Sequence, residues 1–343
     1  MTETLTAKKF VSNIIFFLLI LAAVMALCTL AGTQKISLEK VFAGPGKSPG
    51  ENIDYEIFVG VRLPRVILAA LVGAALASAG VVLQVLLRNP LADPYILGIS
   101  SGAGLGTILA VLSGISFNLW AGSPVSLFAL AGAFGTVWLV WTVGRFAGRW
   151  QVTSLLLAGV VINAFFSAVI MFLTSIANSN ELRTTVYWLM GNITAKDWPV
   201  LIIAAICIVG GDIGLFSISN KLNALSLGEQ EAQNLGVNII RIKTVAFALS
   251  AFITAIAVSL SGLIGFVGLI IPHGVRLILG PDHRQLLPAS AIAGGAFLVI
   301  ADTIARTIFQ QEQLPVGIIT ALAGGPFFLI LLAKYNKKVY WLQ

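Results

Sequence analysis

The chain has 343 residues, of which 58% are hydrophobic and only 10% charged, with a formal net charge of +7 and a mean hydropathy of +0.96. A water-soluble domain carries about 25% charged residues, so this composition excludes an ordinary soluble fold and makes lipid the solvent. It predicts an all-α, polytopic membrane protein built as a single transmembrane domain over residues 1–343.

A bilayer core of about 30 Å needs about 20 apolar residues of helix, with every backbone N–H and C=O paired inside the segment. Phe10–Ala31 has that length. Its run exceeds the roughly 7–15 residues of a signal-peptide core and no small-residue cleavage site follows, so it reads as a first span. Further apolar runs predict spans at Val59–Leu87, Tyr95–Ser113, Pro124–Val143, Ser154–Ala177, Pro199–Phe216, Thr244–Leu260, Leu263–Leu279, Leu287–Phe309 and Leu314–Ala333, about ten in all. Ten spans divide into two inverted five-helix halves, an arrangement common in transporters.

With the N-terminus inside, thirteen Lys and Arg fall on the cytoplasmic face and eight on the other. Cytoplasmic loops retain positive charge, so both termini are expected in the cytoplasm, and topology accounts for the basic charge without nucleic acid. Outside, Gly32–Phe58 reads as an exposed loop rich in Gly, Pro and charge, and Asn178–Asp197 holds a short amphipathic stretch, Leu182–Met190, that suits a surface helix. Inside, Ser217–Arg241 is the most informative connection. Ser226 followed by Glu229 has the spacing of a capping box, and Gly236 is placed to end a helix in the left-handed conformation. They predict a helix over Leu227–Leu235, either a docking surface for a cytoplasmic partner or a structural elbow.

Little in the chain speaks for chemistry. Gly46-Lys47-Ser48 ends like a phosphate-binding loop, but position 41 is Val where that loop needs Gly, and no strand precedes it. No nucleotide or other cofactor is expected on this chain. His273 and His283 have no carboxylate or Cys at ligand spacing, and Cys28 and Cys207 stand apart in apolar runs, so neither a metal site nor redox chemistry is expected. No nucleophile stands beside a base in a recognisable pattern, so the chain reads as a non-enzyme. Gly98, Gly102 and Gly106 recur every fourth position, the spacing that lets helix backbones approach in lipid. Among costly membrane charges, Asp302 and Arg306 are four apart and can pair on one helix face. Arg62 and Arg65 bracket Pro64 at the outer start of the second span, where they either snorkel to phosphates or hold an acidic partner.

Eight strings appear in order: RLPR (Arg62–Arg65), GVVLQVLLRNPLADPYILG (Gly80–Gly98), LLLAG (Leu155–Gly159), LNALSLGEQEAQNLGV (Leu222–Val237), GFVGLIIPH (Gly265–His273), GPDHRQLLP (Gly280–Pro288), ADTIAR (Ala301–Arg306) and LPVGIITALAGGPFF (Leu314–Phe328). Together they resemble the membrane permease of the iron-chelate and cobalamin class of ATP-binding-cassette importers, over nearly the whole chain from the second span onward. The resemblance implies import of a ferric siderophore, haem or cobalamin through the bacterial cytoplasmic (inner) membrane. It also implies a pair of permeases, with a second copy as the expected partner, two cytoplasmic ATPase subunits that carry ATP and Mg, and a periplasmic or lipid-anchored binding protein. The family's coupling segment matches the inner loop, about 217–241, and within it Ser226, Leu227, Gly228, Glu229, Glu231, Ala232, Leu235 and Gly236. Its outer docking arginines match Arg62, Arg65 and Arg306, and its inner constriction falls near Thr153 and Ser154. An ion-coupled secondary transporter is the alternative, and it needs acidic or His residues at mid-membrane, a description that only Asp302 approaches.

Overall fold

The computed structural model describes residues 6–46, 48, 50–115, 123–146, 152–309 and 313–339. Ten apolar helices follow one another among them: α1 Ala7–Leu30, α2 Leu63–Leu86, α3 Ile99–Ser113, α4 Pro124–Phe146, α5 Val152–Ile176, α6 Trp198–Ser217, α7 Ile239–Ser261, α8 Val267–Leu279, α9 His283–Thr307 and α10 Val316–Val339. Seven are long and apolar enough to cross a membrane by themselves, while α3, α8 and the apolar part of α10 are shorter. The spans match the apolar runs read from the sequence.

The two most deeply buried spans, α2 and α7, each stand second in a run of five. The two short helices without a charged tail, α3 and α8, each stand third. That correspondence is what two repeated halves of opposite orientation produce. At a rise of 1.5 Å per residue, the 13 residues of α8 cover only about 20 Å, so irregular backbone must complete the crossing. Such backbone is tolerated at depth only where protein surrounds it. Here the Tyr95 hydroxyl, just before α3, accepts a hydrogen bond from the Ile264 N–H just before α8 at 2.7 Å. Each irregular stretch supports the other.

In lipid no hydrophobic force drives helices together, so close backbone contact does the holding. A Cβ placed on Gly102 of α3 would lie 1.7 Å from Thr136 Oγ1 and 2.5 Å from the Gly132 carbonyl of α4. On Gly80 of α2 it would lie 1.9 Å from the Gly268 carbonyl of α8. The repeated glycines are packing seams. By contrast α1 buries only Phe17 and Thr29, and α5 exposes Leu157, Phe165, Met171 and Phe172.

The stretch before α2 is more ordered than a plain loop. It forms short helices at Leu38–Phe42 and Ile53–Tyr55, and a π-helical Glu56–Arg62 that runs into α2. The expected surface helix near Leu182–Met190 is present as Ser179–Leu189. It carries a complete capping box: Asn178 Oδ1 accepts from the N–H of Glu181 at 3.0 Å, and Glu181 Oε2 accepts from the N–H of Asn178 at 2.9 Å.

Candidate functional site

The 217–241 loop folds differently from the single helix over Leu227–Leu235 that its caps predict. A helix Ser219–Leu227 ends at Gly228, whose φ of 146° lies outside the region open to other residues, and a second helix covers Glu229–Asn234. Ser226 is therefore in the last turn of one helix, not the cap of the next. Its Oγ donates back to the Asn223 carbonyl at 2.7 Å, and no capping box with Glu229 forms. Gly236 does adopt a left-handed φ of 78°, as its position predicts.

Freed from capping, Glu229 becomes an anchor. Its Oε1 accepts from Lys243 Nζ at 2.8 Å and stands 3.7 Å from Arg88 Nη2. Lys243 is buried in the first turns of α7, and Arg88 follows α2. On the other side, Asn223 Nδ2 donates to Asp282 Oδ1 at 2.8 Å, and Asn223 Oδ1 accepts from the His283 backbone N–H at 2.8 Å and from its Nδ1 at 2.7 Å. Asp282 also pairs with Arg284, and these bonds hold its carboxyl at about 2, below the usual range. The loop is thus fastened to three spans: α2, α7 and the start of α9. Ala232 is fully buried, Glu231 and Gly236 are exposed, and Leu227 and Leu235 are 69% and 66% exposed on either side of the short helix. Two exposed leucines thus leave a small apolar patch on an otherwise polar loop.

At the opposite end of the bundle, Arg62, Arg65 and Arg306 come together, and all three are buried. Arg65 is the close partner of Asp302: Nε reaches both carboxylate oxygens, at 3.2 and 3.0 Å, and Nη2 reaches Oδ1 at 2.9 Å. The pairing expected within α9 is the weaker one, with Arg306 Nε 3.9 Å from Asp302 Oδ2. Arg65 Nη1 also donates to Gln313 Oε1 at 2.6 Å.

The remaining guanidinium bonds finish a helix. The last four carbonyls of any α-helix lack partners within it, and α1 has no basic residue in its last turn to supply them. Leu27 O accepts from the Ala31 N–H at 3.0 Å. Thr29 O and Leu30 O accept from Arg62 Nη1 at 3.3 and 2.7 Å, Gln34 O beyond them accepts from Arg62 Nη2, and Cys28 O accepts from Arg306 Nη2. Every free carbonyl at that end is satisfied.

Thr153 and Ser154 stand in the first turn of α5, with Ser154 half-buried; the side chain of Thr153 lies outside the described residues. A second carboxylate in the spans, missed in the sequence, is Asp212 of α6, whose Oδ1 is buried without a hydrogen-bond partner. A single charge inside the run Pro199–Phe216 was the available signal. Near Arg62, Arg65 and Arg306, a cavity of about 660 Å³ opens beside the Ser179–Leu189 helix, lined in part by Arg183, Tyr187, Trp188, Lys196 and Gln313. Burial pushes the Lys196 amine below its usual range, and neighbouring Asp197 opposes that shift.

Known proteins resemble this chain along most of its length. The cobalamin import system permease protein BtuC of Halobacterium salinarum is 45% identical over 81% of this chain and 73% of its own length. The hemin transport system permease protein HmuU of Yersinia pestis is 39% identical over 94% of this chain and 96% of its own. A solved metal-chelate type ABC transporter in an inward-facing conformation, 33% identical, superposes with a TM-score of 0.81 over 94% of this chain and 98% of that one. These relatives are transport permeases, and membership of their class implies work alongside ATPase and substrate-binding components. The model of the FecCD transport family matches residues 18–334, and this multi-pass membrane protein, the permease subunit of an ABC importer, belongs to that family.

Proposed function

We propose that the chain carries a metal chelate across the bacterial cytoplasmic membrane by alternating access, driven by ATP and Mg on two partner ATPase subunits, and that it binds no cofactor of its own. It pairs with a second copy, both termini lie in the cytoplasm, and a periplasmic or lipid-anchored binding protein delivers the cargo. The cargo class follows from relatives named for cobalamin and hemin.

The observation that carries this reading is the fastening of the 217–241 loop. A partner that pushes on Leu227 and Leu235 loads Glu229 and Asn223 together, and through them the ends of α2, α7 and α9. Such coupling needs only a differential interaction of a few kcal/mol between two states of the bundle. At the far end, Arg65 and Arg306 pair with one carboxylate, Asp302, and Arg62 adds a third guanidinium beside them. Although the three side chains are buried, their excess positive charge makes this end of the bundle attractive to an acidic surface of the binding protein, and Arg62, Arg65 and Arg306 are proposed to act in docking through that field. Thr153 and Ser154, at the inner start of α5, are proposed as the gate.

Leu227→Glu with Leu235→Glu tests the coupling, because both side chains are exposed and the fold does not depend on them. ATPase subunits should no longer co-purify with the permease, and ATP-driven uptake into proteoliposomes should fall at least about tenfold. Full co-purification and uptake would remove the loop from the coupling role. Uptake that persists without ATP and stops when the proton gradient is collapsed would favour the ion-coupled alternative.

A further inference from the structure

We propose that the cavity beside the Ser179–Leu189 helix binds an anionic chelate carrying aromatic rings, so that the cargo is a negatively charged, ring-bearing metal complex and not an uncharged one. The inference rests on the importer reading and narrows its cargo.

The site is built on a fixed element. The Asn178–Glu181 capping box locks the start of the helix, and Thr185 on its inner face is fully buried. The same helix then presents Arg183, Tyr187 and Trp188 to the cavity, while Asn192 and Lys196 line it from the segment that follows. At about 660 Å³ the space falls within the range of small-molecule pockets, about 300–1,000 Å³. Among the described residues, two cations line it and no carboxylate does. Asp197, next to Lys196 in sequence, is exposed and not part of the lining.

Each lining group favours the same ligand. The guanidinium offers a planar fork of N–H donors to paired anionic oxygens, and it already lies 5.6 Å from the centre of the Tyr187 ring. The Lys196 amine is disfavoured as a cation by burial, and an anionic oxygen beside it offsets that penalty. Tyr187 and Trp188 supply ring faces for stacking. Gln313 closes one wall and takes a hydrogen bond from Arg65, so the positive cluster around Asp302 adjoins the cavity. An uncharged chelate would use the rings and leave both cations without an anion. A lipid phosphate would use the cations and leave the rings bare.

The test uses the full chain in nanodiscs of uncharged lipid and equilibrium dialysis against two soluble chelates. One is a hexadentate ferric tris-catecholate trianion, the other uncharged cyanocobalamin. The trianion should bind more tightly, and raised salt should weaken it. Arg183→Gln and Lys196→Gln should each weaken it about tenfold, and Tyr187→Leu several-fold. Arg183→Lys, which keeps the charge, should recover part of the loss and guards against a folding defect. Equal binding of cyanocobalamin, or no effect of the charge variants, would overturn the proposal. So would abolition of trianion binding in nanodiscs containing phosphatidylglycerol, since the site would then be a lipid-phosphate site. ATP-driven uptake by the assembled importer separates the two readings. Uptake of cyanocobalamin but not the trianion sinks the cavity assignment and leaves the importer intact, whereas no ATP-driven uptake of the trianion, cyanocobalamin or hemin sinks the chelate-import reading.

Discussion

Asp302→Asn measures how much the buried charge cluster contributes to the fold. Asp302 is 1% exposed, receives three hydrogen bonds from Arg65 and stands 3.9 Å from Arg306 Nε. The substitution keeps the shape and removes the charge, leaving Arg65 and Arg306, at 6% and 7% exposure, without their shared carboxylate. Breaking a buried pair from one side costs about 3–5 kcal/mol, mostly because the other charge is stranded. At tenfold per 1.4 kcal/mol, the unfolding equilibrium should shift by about a hundredfold to several thousandfold. Reversible unfolding in mixed SDS micelles, followed by tryptophan fluorescence, reads that shift. Arg65→Leu combined with Asp302→Leu should lose less than the sum of the single changes, with a coupling of about 2 kcal/mol or more. Asp302→Asn within about 1 kcal/mol of the parent, or strict additivity in the cycle, would refute the assignment of Arg65–Asp302 as the central pair.

Gly102→Val forces side-chain atoms against Thr136 and the Gly132 carbonyl, an overpacking that should cost about 1–3 kcal/mol or more, and Gly135→Val on the open side of α4 should cost far less; equal losses by thermal unfolding would sink the α3–α4 seam. An impermeant thiol reagent on whole cells should label Cys at exposed Ser48 or Asn180 and fail at exposed Asn234, and the reverse pattern would invert the topology. Because the folded-state value of Asp282 is about 2, below its ordinary value of about 4, its contribution is fully present above pH 4 and is lost as pH falls through 2. Stability should therefore be flat in this group from pH 5 to 8 and decline in acid, and Asp282→Asn should flatten the acid limb; an unchanged limb would mean that the Arg284–Asp282 and Asn223–Asp282 contacts are not populated.

The spans were legible in the sequence because each is an apolar run of sufficient length, and the glycine seam because its four-residue spacing fits one helix face. Partners far apart in sequence were not. Arg65 and Asp302 are 237 positions apart, and nothing local to either shows that the i, i+4 partner Arg306 would be outcompeted. The inner loop was half legible. Gly236 ends its helix as its position predicts, yet Ser226 fails as a cap because a helix from Ser219 already runs through it and Gly228 interrupts afterwards. The same capping chemistry stood unread at Asn178 and Glu181. At Arg62 and Arg65 the sequence leaves docking and snorkelling open, whereas in the structure Arg62 and Arg306 complete the end of α1, a task set by backbone geometry that leaves no trace in the residues of α1 itself.

That completion has a consequence in time. The Cys28 carbonyl receives its hydrogen bond from a residue 278 positions later, and synthesis at about 5–20 residues per second puts roughly 15–55 s between them. Arg62 follows within seconds and can satisfy the Thr29 and Leu30 carbonyls, so α1 should enter the bilayer with that end only partly closed. Nascent chains arrested before α9 should accordingly leave that end more open to proteases than chains released after it. The first helix to be made is among the last to be secured, and the arrival of Arg306 is the step that secures it.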